Sequence, residues 1–162
     1  MYPWYVHQES DSSFLVHCLQ DIYLFYPATK RWQKVNTGIK GNEVYAVQRG
    51  NLNTLWIGTD GKVRKYDLQT KDVHDYALPV PPFANPGEKI SASTMFFDSH
   101  DQLWINTWHK GVMKLDTRTG QFETFYTSTF SKKNYLLEMF NPTITEDDKG
   151  NMWFSSPKGV SR

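Results

Sequence analysis

The sequence predicts an all-β chain, a partial β-propeller with three complete four-stranded antiparallel blades plus an incomplete fourth, and three observations predict it. First, a phrase centred on a tryptophan recurs at Trp56, Trp104 and Trp153, at intervals of 48 and 49 residues. Second, each copy divides into apolar runs of about five residues separated by turn formers, which is typical of strands. Third, no stretch keeps a helical apolar period over several turns. Four strands that repeat every 40 to 50 residues or so are typical of a propeller blade.

The repeat assigns strands to each blade. The second and third copies align over their whole length, and a weaker first copy places Leu15 at the tryptophan position. We expect one domain with blades at about residues 3–35, 43–76, 93–126 and 142–162, the last of them incomplete. The expected strands are 3–8, 13–18, 21–26 and 31–35 in the first blade; 43–48, 55–59, 62–67 and 72–76 in the second; 93–98, 103–107, 112–116 and 121–126 in the third; and 142–147, 151–155 and 158–162 in the fourth.

Seven residues are expected to build the repeat itself. A single blade cannot bury both faces of its sheet, so its tryptophan must stack on a neighbouring blade. Aspartate and glycine favour the intervening turns, through side-chain bonds to the backbone or through positive φ. A β-sandwich core is the alternative, but it gives no reason for near-constant spacing. The seven residues are Trp56, Trp104, Trp153, Asp67, Asp116, Gly111 and Gly150.

Composition excludes several classes of function. The 162 residues carry a formal net charge of +1, which argues against nucleic acid as a partner because phosphate binding needs a basic surplus. Cys18 is the only cysteine, so no internal disulfide is expected and a buried thiol is the simplest reading. The most apolar stretch, 14–26, is too short and too polar to cross a bilayer, so we expect no membrane segment in this chain. The first residues also lack the pattern of a signal peptide.

The repeat resembles a known family. It reads D-x-x-G-N-x-W at 147–153, G-V-x-K-L-D-x-x-T-G at 111–120 and G-K-V-x-K-Y-D-x-x-T-K at 61–71. This pattern is similar to the two-component regulator propeller repeat. The similarity covers 43–162 well and 1–42 weakly, since Leu15 replaces the tryptophan in the first copy.

The resemblance implies a function. Such repeats form the extracytoplasmic, periplasmic input region of bacterial hybrid two-component sensor histidine kinases, where they act as receptors for glycan fragments. The chain is then expected to be a fragment that senses a small-molecule or oligosaccharide ligand and does no chemistry of its own. Its other partners would be the remaining propeller blades and the downstream sensor and kinase domains of the parent chain.

A candidate ligand patch follows from blade topology. In an up-and-down blade, the turn between the second and third strands lies on the same face as the connection to the next blade. Long loops on a rigid scaffold often carry binding residues. That face holds Asp60 and the run Trp108-His109-Lys110, in which an aromatic ring could stack on a sugar and its neighbours could hydrogen-bond to hydroxyls. The alternative is that Trp108 caps the core between blades.

Catalytic chemistry is poorly supported by the sequence. We predict no catalytic residue, cofactor or metal site, because the five histidines lack metal-ligand spacing and the acidic run at 146–148 is explained by turn chemistry. The alternative function is a fragment of a propeller-fold glycosidase or lyase, which would need paired carboxylates in the channel. Glu43 and Glu138 are the candidates for that pair. A protein-binding scaffold like the WD repeats ranks lower, since neither Gly-His nor Trp-Asp occurs.

Overall fold

The computed structural model describes residues 3–18, 21–39, 44–51, 53–108, 110–125, 143–156 and 159–162. Within them the chain forms four antiparallel sheets and one short 3-10 turn at Pro27–Thr29. Sheet I contains β1 (Pro3–Ser10), β2 (Ser13–Cys18), β3 (Asp21–Tyr26) and β4 (Arg31–Lys34). Sheet II contains β5 (Ala46–Arg49), β6 (Thr54–Gly58), β7 (Lys62–Asp67) and β8 (Val73–Ala77). Sheet III contains β9 (Ala92–Phe97), β10 (Gln102–Thr107), β11 (Gly111–Asp116) and β12 (Phe122–Phe125), and sheet IV contains β13 (Ile144–Glu146), β14 (Met152–Ser156) and β15 (Gly159–Ser161).

Each sheet is a simple meander whose spatial order follows the chain order. Three sheets have four strands, and the fourth has three among the described residues, so the predicted fold class is confirmed. That residues 1–162 form a single domain stays a prediction.

The strand register confirms that the repeat marks equivalent positions. Trp56 lies opposite Lys65, and Trp104 lies opposite Lys114. In sheet I the corresponding pair is Leu15 opposite Leu24, as the alignment requires.

Most predicted strands differ from the structure by about one residue at an end, and the first strands of sheets I, II and IV differ by two or more. The strand expected at 43–48 is found as Ala46–Arg49, although the N–H of Tyr45 still donates to the carbonyl of Gly58 at 2.9 Å. The first strand runs on to Ser10 through a register shift after Gln8, because a bulge can extend a strand past a local irregularity.

The core lies between neighbouring sheets. Trp56 of sheet II stacks on Tyr76 at 5.5 Å between ring centroids and meets Phe97 of sheet III edge-on at 5.8 Å. Trp104 repeats this arrangement against Phe125 at 5.5 Å and Phe154 of sheet IV at 5.6 Å. Sheets II and III therefore each bury an aromatic face on the next sheet, which is how radially arranged blades remove apolar surface from water. The buried part of the interface between sheets I and II instead consists of aliphatic residues and one tyrosine, including Leu15, Ile22, Val35, Val47, Leu55, Ile57 and Tyr66.

Aspartates fix the turns at corresponding places. Oδ1 of Asp67 accepts from the N–H groups of Gln69 and Thr70, both at 2.7 Å. Asp116 does the same with Arg118 at 2.9 Å and Thr119 at 3.1 Å. These backbone bonds lower the pKa of both carboxyls, because they stabilise the ionised form.

Two glycines of the repeat need their conformational freedom. Gly111, which begins β11, has φ +96°, and Gly150, before β14, has φ +78°. Residues with a Cβ rarely adopt this region, so glycine suits both turns.

Candidate ligand site

Ser91 joins two turns that lie far apart in the sequence. Its hydroxyl donates to Oδ1 of Asp60, in the turn after β6. Its carbonyl accepts the N–H of Trp108, in the turn after β10, at 3.3 Å. Asp60 and Ser91 also form a backbone bridge. The long connection from sheet II therefore places the predicted residues Asp60 and Trp108 on one face of the molecule.

Two aromatic rings meet on this face. Tyr45, which precedes β5, lies against Trp108 with the ring centroids 5.5 Å apart and the planes inclined by 53°. The Tyr45 hydroxyl donates to Oδ2 of Asp60 at 3.3 Å. Trp108 keeps 47% of its surface exposed, so its ring covers its neighbour and still presents a face to solvent.

Lys110 is committed to a structural contact. Its Nζ lies 2.8 Å from Oε1 of Glu88, and the side chain is only 16% exposed. The ammonium also lies 5.6 Å from the centroid of the Phe83 ring. The bond from Lys110 and a second one from the backbone N–H of Asn85 lower the pKa of the Glu88 carboxyl. Lys110 thus attaches the proline-rich connection to sheet III.

A cleft opens beside the aromatic pair, at the inner edge of the sheets. Its volume is about 310 Å³, within the range of small-molecule sites, which is roughly 300–1,000 Å³. The first strands of sheets I, II and III all contribute to its wall, which is the position of the central channel in a propeller. The lining residues described include Tyr5, His17, Tyr45, Gln48, Ser93, Thr94, Met95 and Trp108. Aromatic rings, the apolar side chains of Ala46, Val47 and Met95, and a few polar groups therefore line this cleft.

A β-bulge presents one of these polar groups. The register of β9 and β10 shifts between Asn106 and Thr107, leaving Ser93 as the extra residue. Nδ2 of the buried Asn106 donates to the Ser93 hydroxyl at 2.6 Å, and that hydroxyl lies 3.3 Å from the Asn106 carbonyl oxygen. Bulges are common where a side chain is redirected beside a site. Here the bulge holds a serine hydroxyl in the cleft wall.

The structure brings two of the predicted ligand residues together, and their role in binding stays a prediction. Asp60 and Trp108 come together as neighbours of Ser91 and Tyr45, Lys110 lies apart with Glu88, and His109 lies outside the described residues. Sequence reasoning missed Tyr45, Ser91 and Ser93. The signal for Tyr45 was its place at the start of a first strand, since first strands line the channel.

The acidic run before β14 serves turns and sheet contacts. Oδ1 of Asp147 accepts from the N–H groups of Lys149 and Asn151, both at 2.9 Å. Bonds from the side chains of Asn151 and Trp153 hold the pKa of Asp147 well below its usual range. Glu146 accepts from the hydroxyl and N–H of Ser99 in sheet III, both at 2.7 Å.

In the described part of the chain, no three His, Cys, Asp or Glu residues gather as metal ligands would. Glu43 and Glu138, the candidates for an enzymatic pair, lie outside the described residues. No helix formed by the described residues is long and apolar enough to span a bilayer.

Comparisons with solved structures identify the fold. The extracellular domain of a putative hybrid two-component system from Bacteroides thetaiotaomicron matches with a TM-score of 0.74 and 15% identity, over 98% of this chain and 21% of that one. A second such domain from the same organism matches with a TM-score of 0.65 and 21% identity, over 98% and 19% of the two chains. The WD40 β-propeller domain of Doa1 matches with a TM-score of 0.70 and 13% identity, over 98% and 49%.

An enzyme shares the fold as well. A catalytically inactive virginiamycin B lyase from Staphylococcus aureus matches with a TM-score of 0.63 and 14% identity, over 96% of this chain and 53% of that one. No protein-family model and no curated protein matches the sequence. The chain spans about one fifth of the length of the two-component domains. At the level of fold, the resemblance inferred from the sequence is confirmed: the chain has the β-propeller fold found in the extracellular domains of two-component systems.

Proposed function

We propose that this chain is the ligand-sensing part of an extracytoplasmic two-component receptor, and that it binds a neutral oligosaccharide at the channel cleft without acting on it. The observation that carries this proposal is the Tyr45–Trp108 pair, with centroids 5.5 Å apart, beside a cleft whose lining combines apolar side chains with Gln48, Ser93 and Thr94. The periplasm is the proposed compartment, and the proposed output is a downstream kinase in the parent chain. The fold shared with two-component extracellular domains supports this assignment.

The chemistry of the cleft favours a sugar over a charged metabolite. A pyranose ring has an apolar face that stacks on tryptophan or tyrosine, and its hydroxyl groups donate and accept hydrogen bonds. Trp108 supplies a half-exposed ring, while Gln48, Ser93 and Thr94 supply neutral donors and acceptors. The described lining contains no Asp, Glu, Lys or Arg, whereas a tightly bound ion would be expected to have an oppositely charged partner.

A lyase or glycosidase fragment is the alternative, and it is favoured only by the fold shared with virginiamycin B lyase. An enzyme of that kind would show turnover of the bound compound. Incubating any bound oligosaccharide with the protein and analysing the mixture by mass spectrometry distinguishes the two functions.

The proposal is tested on an array of neutral and acidic oligosaccharides probed with the labelled full chain. We expect neutral glycans to bind, and Trp108→Ala to weaken that binding at least about tenfold because it removes the stacking surface. Trp32→Ala is the matched control, since Trp32 is similarly exposed at 45% but lies on the outer strand of sheet I. Undiminished binding by Trp108→Ala, or an array on which no neutral glycan binds, would contradict the proposal.

A further inference from the structure

A second and larger cleft lies between sheets I and II, away from the channel. Its volume is about 660 Å³. Sheet I and the residue that follows β4 contribute Leu24, Gln33 and Val35 to its walls, and sheet II contributes Arg64 and Tyr66. This volume also falls in the range of small-molecule sites, roughly 300–1,000 Å³.

The cleft lies where sheet I has aliphatic side chains in place of the tryptophan, lysine and second aromatic ring of the other interfaces. In sheet II the corresponding positions hold Trp56, Lys65 and Tyr76, and the Lys65 ammonium lies 5.7 Å from the centroid of the Trp56 ring. Sheet III repeats the set as Trp104, Lys114 and Phe125, with the ammonium 5.4 Å from the ring centroid. Sheet I has Leu15, Leu24 and Val35 in their places. The strand register establishes this equivalence, which places two aliphatic residues where the other sheets stack two rings.

Because sheet I lacks these two rings, part of the space between sheets I and II is left unfilled. Blades diverge toward the rim of a propeller, so the outer part of each interface needs large side chains. In the other two interfaces the tryptophan and its aromatic partner fill that space, with centroids 5.5 Å apart. Leu15 and Val35 are both buried but reach less far. The floor of the resulting cleft is apolar.

The rim of this cleft is positively charged. Lys71 places its ammonium 5.9 Å from the centroid of the Tyr66 ring and donates to the carbonyl of Leu68. Among the described residues, no carboxylate lies within ion-pair distance of the Lys71 ammonium. Arg64 also lines the cleft. Its guanidinium donates hydrogen bonds to the carboxylate of Asp75 and, at 2.9 Å, to the carbonyl of Thr37.

Glu9, the one acidic residue among the described lining residues, is neutralised. Both carboxylate oxygens of Glu9 accept from Arg49, with the shortest distance 2.6 Å. Lys34, a further lining cation, is paired with Asp21 at 2.6 Å. The cation left outside an ion pair at the mouth of the cleft is therefore the Lys71 ammonium, which also helps to lower the pKa of the nearby Asp67 carboxyl.

We propose that the cleft between sheets I and II is a ligand site for an organic anion with an apolar body. The apolar body would lie against Leu24, Val35 and Tyr66, and the anionic group would pair with Lys71 at the rim. This site is separate from the channel cleft and does not depend on the proposed glycan binding.

The dye 8-anilinonaphthalene-1-sulfonate is a suitable probe, because it combines aromatic rings with a sulfonate. We expect a saturable increase in its fluorescence with one site per chain. Val35→Tyr restores the ring that sheet II has at this position and should weaken binding at least about tenfold by filling the cleft. Val80→Tyr adds the same ring to an exposed position outside the cleft and should leave binding unchanged.

Charge is tested separately. Lys71→Gln should weaken dye binding roughly threefold or more at low ionic strength and reduce its salt dependence. Lys149→Gln, in an exposed turn of sheet IV, is the control. Circular dichroism of each variant verifies the fold, and Leu15→Trp combined with Val35→Tyr provides a second filled variant that reproduces the pair found in sheet II.

Three results would overturn the proposal: no saturable one-site binding by the native chain, undiminished binding by the folded filled variants, or loss of binding in Trp108→Ala. The last would assign the dye to the channel cleft.

Discussion

The indole N–H of Trp104 donates to Oδ2 of Asp98 at 2.8 Å, six residues earlier in the chain. Trp153 makes the same bond to Asp147 at the same 2.8 Å. Each aspartate also uses Oδ1 to accept two backbone N–H groups of its turn. One carboxylate therefore fixes both the turn and the ring that packs on the next sheet.

Replacing Asp98 by alanine should destabilise the chain by about 1–3 kcal/mol, because it leaves the Trp104 indole and two backbone donors without their acceptor. Urea unfolding followed by circular dichroism measures the change. Asp148→Ala is the control, since Asp148 is an exposed residue of a corresponding turn. Equal stability of the two variants would show that the bond does not hold the ring.

Gly58 is expected to tolerate no side chain. A Cβ at this position would lie 2.8 Å from Cβ and 2.9 Å from the carbonyl oxygen of Ala92, across the interface between sheets II and III. Gly58→Ala should reduce the free energy of unfolding by about 1–3 kcal/mol, because backbone atoms must move to relieve the overlap. Thermal denaturation measures this loss.

Gly61→Asn is the matched control, because no atom lies within 4 Å of the added Cβ and asparagine tolerates the φ of +76° found there. A Gly58→Ala variant as stable as Gly61→Asn would be inconsistent with close packing of sheets II and III.

Acid should weaken the contact between β7 and β8. Asp75 accepts from Arg64 and Lys62, and Arg64 foremost lowers its pKa from 3.8 to about 2. Because the folded-state pKa is below the unfolded one, the stabilisation is complete above about pH 4 and is lost as the pH falls toward 2. Allowing for solvent screening of this partly exposed group, we expect a contribution of about 1 kcal/mol.

The measurement is urea unfolding at a series of pH values between 2 and 6. Asp75→Asn should flatten the pH dependence relative to the native chain, whereas Asp11→Asn, at an exposed turn, should not. Parallel curves for the native chain and Asp75→Asn would exclude the ion pairs as the cause.

Arg49 and Glu9 form an ion pair between sheets I and II. Their side chains are only 11% and 18% exposed, and Arg49 also donates to the carbonyl of Thr54 at 2.7 Å. Arg49→Met should destabilise by about 3–5 kcal/mol, because it leaves the Glu9 carboxylate poorly solvated and unpaired. The double variant with Glu9→Gln should recover part of that loss, giving a coupling energy in a double-mutant cycle. Strictly additive effects would mean that the two charges act independently.

The fold could be predicted because the sequence pattern of one blade recurs along the chain. Three tryptophans at near-constant spacing reveal the blade, and each predicted strand needs only its own residues and its nearest turn. Contacts between blades do not follow from such a pattern. The Tyr45–Trp108 contact joins residues 63 positions apart, and its geometry depends on how Ser91 links the two turns.

The candidate site was likewise predictable only in part. Blade topology predicted that Asp60 and Trp108 lie on one face. It did not predict the ion pair between Lys110 and Glu88, because tertiary contacts set the path of the connection between sheets II and III. Likewise, the sequence showed Leu15 at the tryptophan position without revealing a cleft. The cleft is open because Val35, which follows β4, is smaller than Tyr76 and Phe125, the rings at the same position in sheets II and III.

Titration calorimetry tests the central claim, that three sheets together form a channel site for a neutral glycan. The strongest oligosaccharide from the array is titrated into the native chain and into the Trp108→Ala, Tyr45→Ala and Trp32→Ala variants. The account predicts one site per chain, binding weakened at least about tenfold in the first two variants, and native affinity in Trp32→Ala. Native affinity in both Trp108→Ala and Tyr45→Ala would contradict it.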